Sequence, residues 1–145
     1  MRRIYREDLI QATLVQHIEA RGVPGLVYFA VPNGGARSAR EGARFKATGV
    51  KAGVADLIFL HAGTAFALEI KHDGDKRTKT KPGRLTKEQE DFGVRWCKAG
   101  GRHFVAHGLD EALTACEYWG LIRRDRSVMA ETLTTIGALG AANGN

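Results

Sequence analysis

The feature that most limits how this chain can fold is a pair of short apolar runs, Ala55–Leu60 and Ala65–Lys71, separated only by His61-Ala62-Gly63-Thr64. Two β-prone runs joined by so short a turn predict a hairpin. With Ala62-Gly63 at its centre, Leu57 opposes Leu68, Phe59 opposes Phe66 and Asp56 opposes Glu69. Side chains alternate between the faces of a strand. One face is then Leu57, Phe59, Phe66, Leu68 and Ile70, cleanly apolar, and the other gathers Asp56, Glu69 and Lys71. Like charges set opposite one another destabilise a strand pair. Two carboxylates among Leu, Ile, Phe and Ala therefore call for a proton, a cation between them, or another register.

A divalent cation bridged by Asp56 and Glu69, with Lys71 beside it, meets that demand and supplies a chemistry. Oxygen ligands without His or Cys point to Mg2+ or Mn2+ rather than zinc. Acids at strand ends commonly just meet water or a lysine. It is the triple on one face of a basic protein that favours a site. A hard cation with a lysine beside it suits hydrolysis of phosphodiester bonds, where negative charge develops on phosphoryl oxygens.

Charge supports that direction. Twenty-two Lys and Arg against 16 Asp and Glu give a net charge of +6 over 145 residues. Lys76, Arg77, Lys79, Lys81, Arg84 and Lys87 follow Lys71 with no acid among them, and Arg37, Arg40, Arg44, Lys46 and Lys51 are interrupted only by Glu41. Basic loops are often simply solvated, but placed beside such a site they also fit a polyanionic backbone. A chain of this length buries enough surface to fold without a disulfide or structural metal. Cys97 and Cys116 lack ligand-type spacing, no apolar run is long enough to span a membrane, and the N-terminus has no secretory pattern. The expected compartment is cytoplasmic.

Elsewhere, Ile4–Arg21 predicts an amphipathic helix, with Ile10, Leu14 and Ile18 spaced by four and Ala12 and Val15 widening the stripe. Leu26–Val31 predicts a strand stopped by Pro32-Asn33-Gly34-Gly35. Capping boxes at Ser38–Glu41 and Thr86–Gln89 open helices to Ala47 and about Ala99. His72–Leu85 reads as a mobile loop, Arg102–His107 as a strand and Asp110–Trp119 as a helix. The order α-β-α-β-β-α-β-α predicts an α/β fold, a mixed central sheet flanked by helices, in one domain over residues 1–121 with a weakly structured tail over 122–145. His103 and His107 lack a third ligand and read as ordinary core or surface residues. Trp96, Tyr118 and Trp119 read as core or interface groups rather than base-stacking platforms.

Gly53-Val54-Ala55-Asp56, then Glu69-Ile70-Lys71, then Gly83-Arg84-Leu85-Thr86-Lys87-Glu88-Gln89 resemble the VRR-NUC family, the virus-type replication and repair nucleases of the PD-(D/E)XK superfamily. The E-x-K triplet is weak alone. The ordered set, with an N-terminal helix acid and the Pro-Asn-Gly-Gly turn, is specific and spans the chain to about His107. The resemblance implies a restriction-endonuclease-like core, with Asp56, Glu69 and the Ile70 backbone carbonyl as ligands of Mg2+ or Mn2+ and Lys71 as the catalytic lysine. It implies Glu19 as a further acid near the metal or its water, and Gln89 on the helix behind the site. The family's proline before the aspartate is Ala55 here. Candidate DNA contacts are Asn33, Lys76, Arg77, Lys79, Lys81 and Arg84. The stand-alone, phage-type members imply a homodimer acting on branched DNA, four-way junctions first, with Trp96, Tyr118, Trp119 and Leu121 as candidate interface residues. The alternatives are a non-catalytic nucleic-acid-binding module of the same fold and a restriction-type endonuclease, for whose separate recognition domain the chain has no room.

Overall fold

The computed structural model describes residues 6–32 and 38–125. Asn33, Arg37 and residues 126–145 of the expected tail lie outside them. The chain runs α1 (Arg6–Arg21), β1 (Val27–Ala30), α2 (Ala39–Ala47), β2 (Leu57–His61), β3 (Thr64–Lys71), α3 (Lys87–Lys98), β4 (Arg102–His107) and α4 (Leu109–Tyr118). The sheet order is β1-β2-β3-β4. The first three strands are antiparallel and β4 is parallel to β3, so the sheet is mixed.

The hairpin has the expected register, with Leu57 opposite Leu68 and Phe59 opposite Phe66. Ala62 and Gly63 both take positive φ, 48° and 80°, the conformation of a type I′ turn, whose twist matches that of the flanking strands. The ladder ends at Leu57–Leu68. Asp56 therefore lies just before β2 and does not face Glu69 as a strand pair. Its carboxylate instead extends the pairing, Oδ2 accepting from the Ile70 N–H at 2.7 Å.

Leu57, Phe59, Phe66, Leu68 and Ile70 pack against Leu14 and Ile18 of α1 and Ala112, Ala115 and Cys116 of α4. Ala12 is exposed, because two residues from Ile10 and Leu14 is nearly half a helical turn away. The other sheet face buries Ala55, Ile58 and Ala67 under Phe92 and Trp96 of α3. Ala55 is fully buried. Layers on both faces make β3 buried from Phe66 onward, Glu69 and Lys71 included. The core also continues past residue 121. Leu121 and Ile122 are buried, and Ile122 forms a bridge with Gly22.

The segment after β3, expected to be mobile, folds back on itself. Asp75 and Thr80 form a bridge, and Asp75 Oδ1 accepts from the Arg77 N–H at 2.8 Å. Arg6 donates to the Gly74 carbonyl at 2.9 Å, the Gly83 N–H donates to the His72 carbonyl at 2.9 Å, and His107 Nε2 lies 3.0 Å from the Gly83 carbonyl. These bonds pin both feet of the segment, while Lys76, Arg77, Lys79 and Lys81 stay exposed at its tip. Of the candidate interface residues, Leu121 is wholly buried, Trp119 packs on Phe66 and Phe104, and Trp96 donates to the Arg102 carbonyl. These three serve the chain's own packing. Tyr118 is 82% exposed.

Candidate active site

The site lies at one end of the sheet. The start of β2 and the ends of β1, β3 and β4 meet there, as do the first turns of α1, α3 and α4. Glu69 and Lys71 project from the end of β3 toward the α3 face. Lys71 Nζ lies 3.4 Å from Glu69 Oε1. Both are nearly withdrawn from solvent, Glu69 at 2% and Lys71 at 8% exposure. A charge is tolerated at such depth only when it is paired and hydrogen-bonded.

Gln89 supplies a second partner. Its Nε2 donates to Glu69 Oε1 at 2.6 Å, while its Oε1 accepts from the Thr86 N–H at 2.9 Å. Thr86 Oγ1 in turn accepts from the Gln89 N–H, completing the capping box that opens α3. One amide thus starts the helix and fixes the carboxylate, so α3 is registered directly to the site. Gly53 completes this arrangement. A Cβ placed there would come within 2.3 Å of the Glu88 carbonyl, so only glycine lets the chain entering Asp56 lie so close to α3.

Asp56 is held from two sides. Its carboxylate takes the Ile70 N–H, and its backbone carbonyl accepts from the Val31 N–H at 2.9 Å. A strand residue's N–H and C=O point to the same edge. The Ile70 carbonyl therefore faces the Asp56 side, beyond the last ladder pair. Burial is the largest influence on both acids. It raises Asp56, against the pull of the Ile70 N–H and Lys71. It pushes Glu69 up to about 7, aided by the Asp56 charge and opposed by Lys71. A cation offsets both the burial and the mutual repulsion.

Among the described residues no cluster of three or more His, Cys, Asp or Glu side chains forms a cage. Two carboxylates and a backbone carbonyl make an open oxygen set. That donor chemistry fits Mg2+ or Mn2+, which keep several waters.

The acids that α1 brings to this corner are Glu7 and, on Asp56, Asp8, not Glu19. The Glu7 charge bears on both Asp56 and Glu69, and its Oε1 accepts from the His72 N–H at 3.2 Å. Glu19 lies on the same helix about 18 Å along the axis, at ~1.5 Å per residue. It is exposed there and accepts a hydrogen bond from the Tyr28 hydroxyl. That bond, with burial and the Glu19 charge, pushes the tyrosine up to about 12. Glu7 has the same acid-on-first-helix signal in sequence, but nothing in the periodicity says which end of α1 meets the site. His107 pairs in register with Lys71 and reaches the Gly83 carbonyl, bordering the site as a structural contact. His103 packs on Phe92, and burial lowers its pKa.

The chain is similar in structure to a protein described as "VRR_NUC domain protein", with a TM-score of 0.64 and 25% identity, covering 86% of this chain and 96% of that one. It is also similar to one described as "VRR_NUC domain", at TM-score 0.51 and 18% identity, covering 80% and 99%. The second likeness concerns the fold alone. No family model and no curated protein matches the sequence.

Proposed function

From the VRR-NUC domain fold that the chain carries, we propose that it is a Mg2+- or Mn2+-dependent nuclease that hydrolyses phosphodiester bonds in DNA. The observation that carries the reading is the meeting of Asp56, held by the Ile70 N–H, with Glu69 and Lys71, where Glu69 is pushed up to about 7 by burial and its neighbouring acid. Asp56, Glu69 and the Ile70 carbonyl would hold the metal. When bound, it supplies Lewis-acid polarisation of a phosphoryl oxygen and a lowered pKa for water.

The chain's own groups do the rest. Lys71 holds a positive charge where negative charge grows on the phosphoryl oxygens. Gln89 keeps Glu69 in one orientation, so the carboxylate does not reorganise during the reaction. Glu7 stands across the corner as an acceptor able to orient a water. The exposed cations Lys76, Arg77, Lys79, Lys81 and Arg84 hold the sugar-phosphate backbone. Branched DNA is the preferred substrate, four-way junctions first, cut by two copies acting together.

The test is a cleavage panel of duplex, flap, splayed-arm and four-way-junction DNA with Mg2+, Mn2+ or EDTA. Glu69→Gln and Lys71→Ala should lose cleavage by at least ~10²-fold, the scale of a lost catalytic group, while DNA affinity stays within a few-fold. Cleavage at the wild-type rate in EDTA, or by the Glu69 variant, overturns the proposal. Tight binding without cleavage under any metal would leave a nucleic-acid-binding module.

A further inference from the structure

Two excursions leave the sheet at the end that holds Asp56, Glu69 and Lys71. One is the segment after β3, already assigned to the backbone. The other joins β1 to β2 and contains α2. No residue of α2 is buried. A nine-residue helix without a packed face is marginal in water. This one is nonetheless closed by a full capping box, with Ser38 Oγ accepting from the Glu41 N–H and the Glu41 carboxylate from the Ser38 N–H at 3.1 Å. That bond turns the excursion's one described acid back onto the helix start.

Arg40, Arg44, Lys46 and Lys51 are all exposed and, among the described residues, form no ion pair. Arg40 and Arg44, four apart, stand one above the other on a single helix face. The feet of the excursion lie against the site on its β1–β2 side. The Val31 N–H is bonded to the Asp56 carbonyl, and Gly53 rests on Glu88. Across the sheet end the order is therefore the α2 excursion at β1 and β2, then Asp56, then Glu69 and Lys71, then the basic segment leaving β3 and leaning on Arg6 and His107.

We infer that α2 is a second DNA-binding arm, gripping the sugar-phosphate backbone on the opposite side of the scissile phosphate from the segment after β3. This rests on the nuclease reading and sharpens it. With backbone held on both sides of the cut, the enzyme requires DNA that continues past the site in both directions, and so cleaves internally rather than trimming ends.

The experiment uses the full chain in the Glu69→Gln background with a duplex of defined sequence, so that binding is read without turnover. Affinity is measured against salt for Arg40→Gln/Arg44→Gln/Lys46→Gln/Lys51→Gln and, separately, for Lys76→Ala/Arg77→Ala/Lys79→Ala/Lys81→Ala. The slope of log affinity against log salt should become shallower by about 2–3 in the α2 variant, at ~0.9 per phosphate contact. A readout free of mutation at α2 accompanies it: bound duplex should protect Lys46 and Lys51 from acetylation several-fold. An unchanged slope, or equal acetylation with and without DNA, overturns the second arm. If the loop variant alone shifts the slope, the nuclease reading stands and this inference falls. If the chain binds no DNA, both fall.

Discussion

Glu69 is the residue on which the electrostatics of the site turn, because burial and Asp56 oppose its charge while Lys71 and Gln89 favour it. Its ordinary value of 4.5 becomes about 7 in the folded chain. A carboxyl raised on folding binds its proton more tightly in the native state. Its contribution to stability is therefore fully present below pH 4.5 and is lost as pH rises to about 7. In metal-free buffer, the melting temperature of wild type minus that of Glu69→Gln should fall across that window and level off above it. Mg2+ should then raise the wild-type value above pH 7 and leave the variant unmoved. A flat difference across the window, or equal metal stabilisation of both, contradicts this account. Glu7 and Glu19 give a second residue-level prediction. Glu7→Gln should lower cleavage by ~10²-fold, the scale of a lost acid–base group, and Glu19→Gln by less than about 2-fold. The reverse ranking in steady-state rates would restore Glu19 to the site. Glu69 and Lys71 were legible in sequence because alternation puts them on one face of β3, and Asp56 because the register the turn fixes brings it to the Ile70 N–H just past the last ladder pair. Glu7 was not, since α1 has acids at both ends and its apolar stripe does not say which end abuts β3.

Among the elements, the hairpin shows why the local signals were strong and where they stopped. Ala62 occupies a positive-φ position at 48°, which costs a residue with a Cβ about 1 kcal/mol. Asn-Gly is the favoured pair for this turn, so Ala62→Asn should stabilise the chain by about 0.5–1 kcal/mol in urea unfolding without altering cleavage. A loss of stability would mean the turn is not of this type. The two capping boxes were legible because each is a four-residue pattern with its own hydrogen bonds. That Gln89 also reaches Glu69 was not deducible from the cap, because it depends on how α3 lies over the sheet. The segment after β3 has the polar, glycine-containing composition of a mobile loop. Its feet are held by bonds to Arg6 and His107, which are distant in sequence. Its exposed tip still fits a phosphate grip. Replacing Lys76, Arg77, Lys79 and Lys81 with Ala should make the salt slope shallower by up to ~3–4. An unchanged slope would leave a solvated turn.

At the scale of the whole molecule, the single site imposes a constraint. Under the proposed reading one such corner cuts one strand, so symmetric processing of a four-way junction would require two copies in opposed orientation, which a closed two-fold dimer supplies. Of the residues expected at that contact, Tyr118 stays 82% exposed. Leu121, Trp96 and Trp119 are engaged within the chain, while α3 covers only part of its sheet face. On the rest of that face Val27, Phe29 and Leu60 remain 58%, 55% and 50% exposed, and the register puts them side by side on β1 and β2. Large apolar side chains grouped on a surface mark an interaction site more often than scattered ones do. We therefore predict a homodimer in which a second copy covers these three residues. Light scattering of the full chain should give about 32 kDa, twice the 15.8 kDa of one chain. Phe29→Lys should halve that mass and slow junction cleavage by ~10-fold or more, while nicking of simple duplex persists, because positioning two reactions on one substrate depends on the fixed spacing of the pair. A wild-type mass of one chain at micromolar concentration, both free and on junction DNA, would show that a single copy does the cutting.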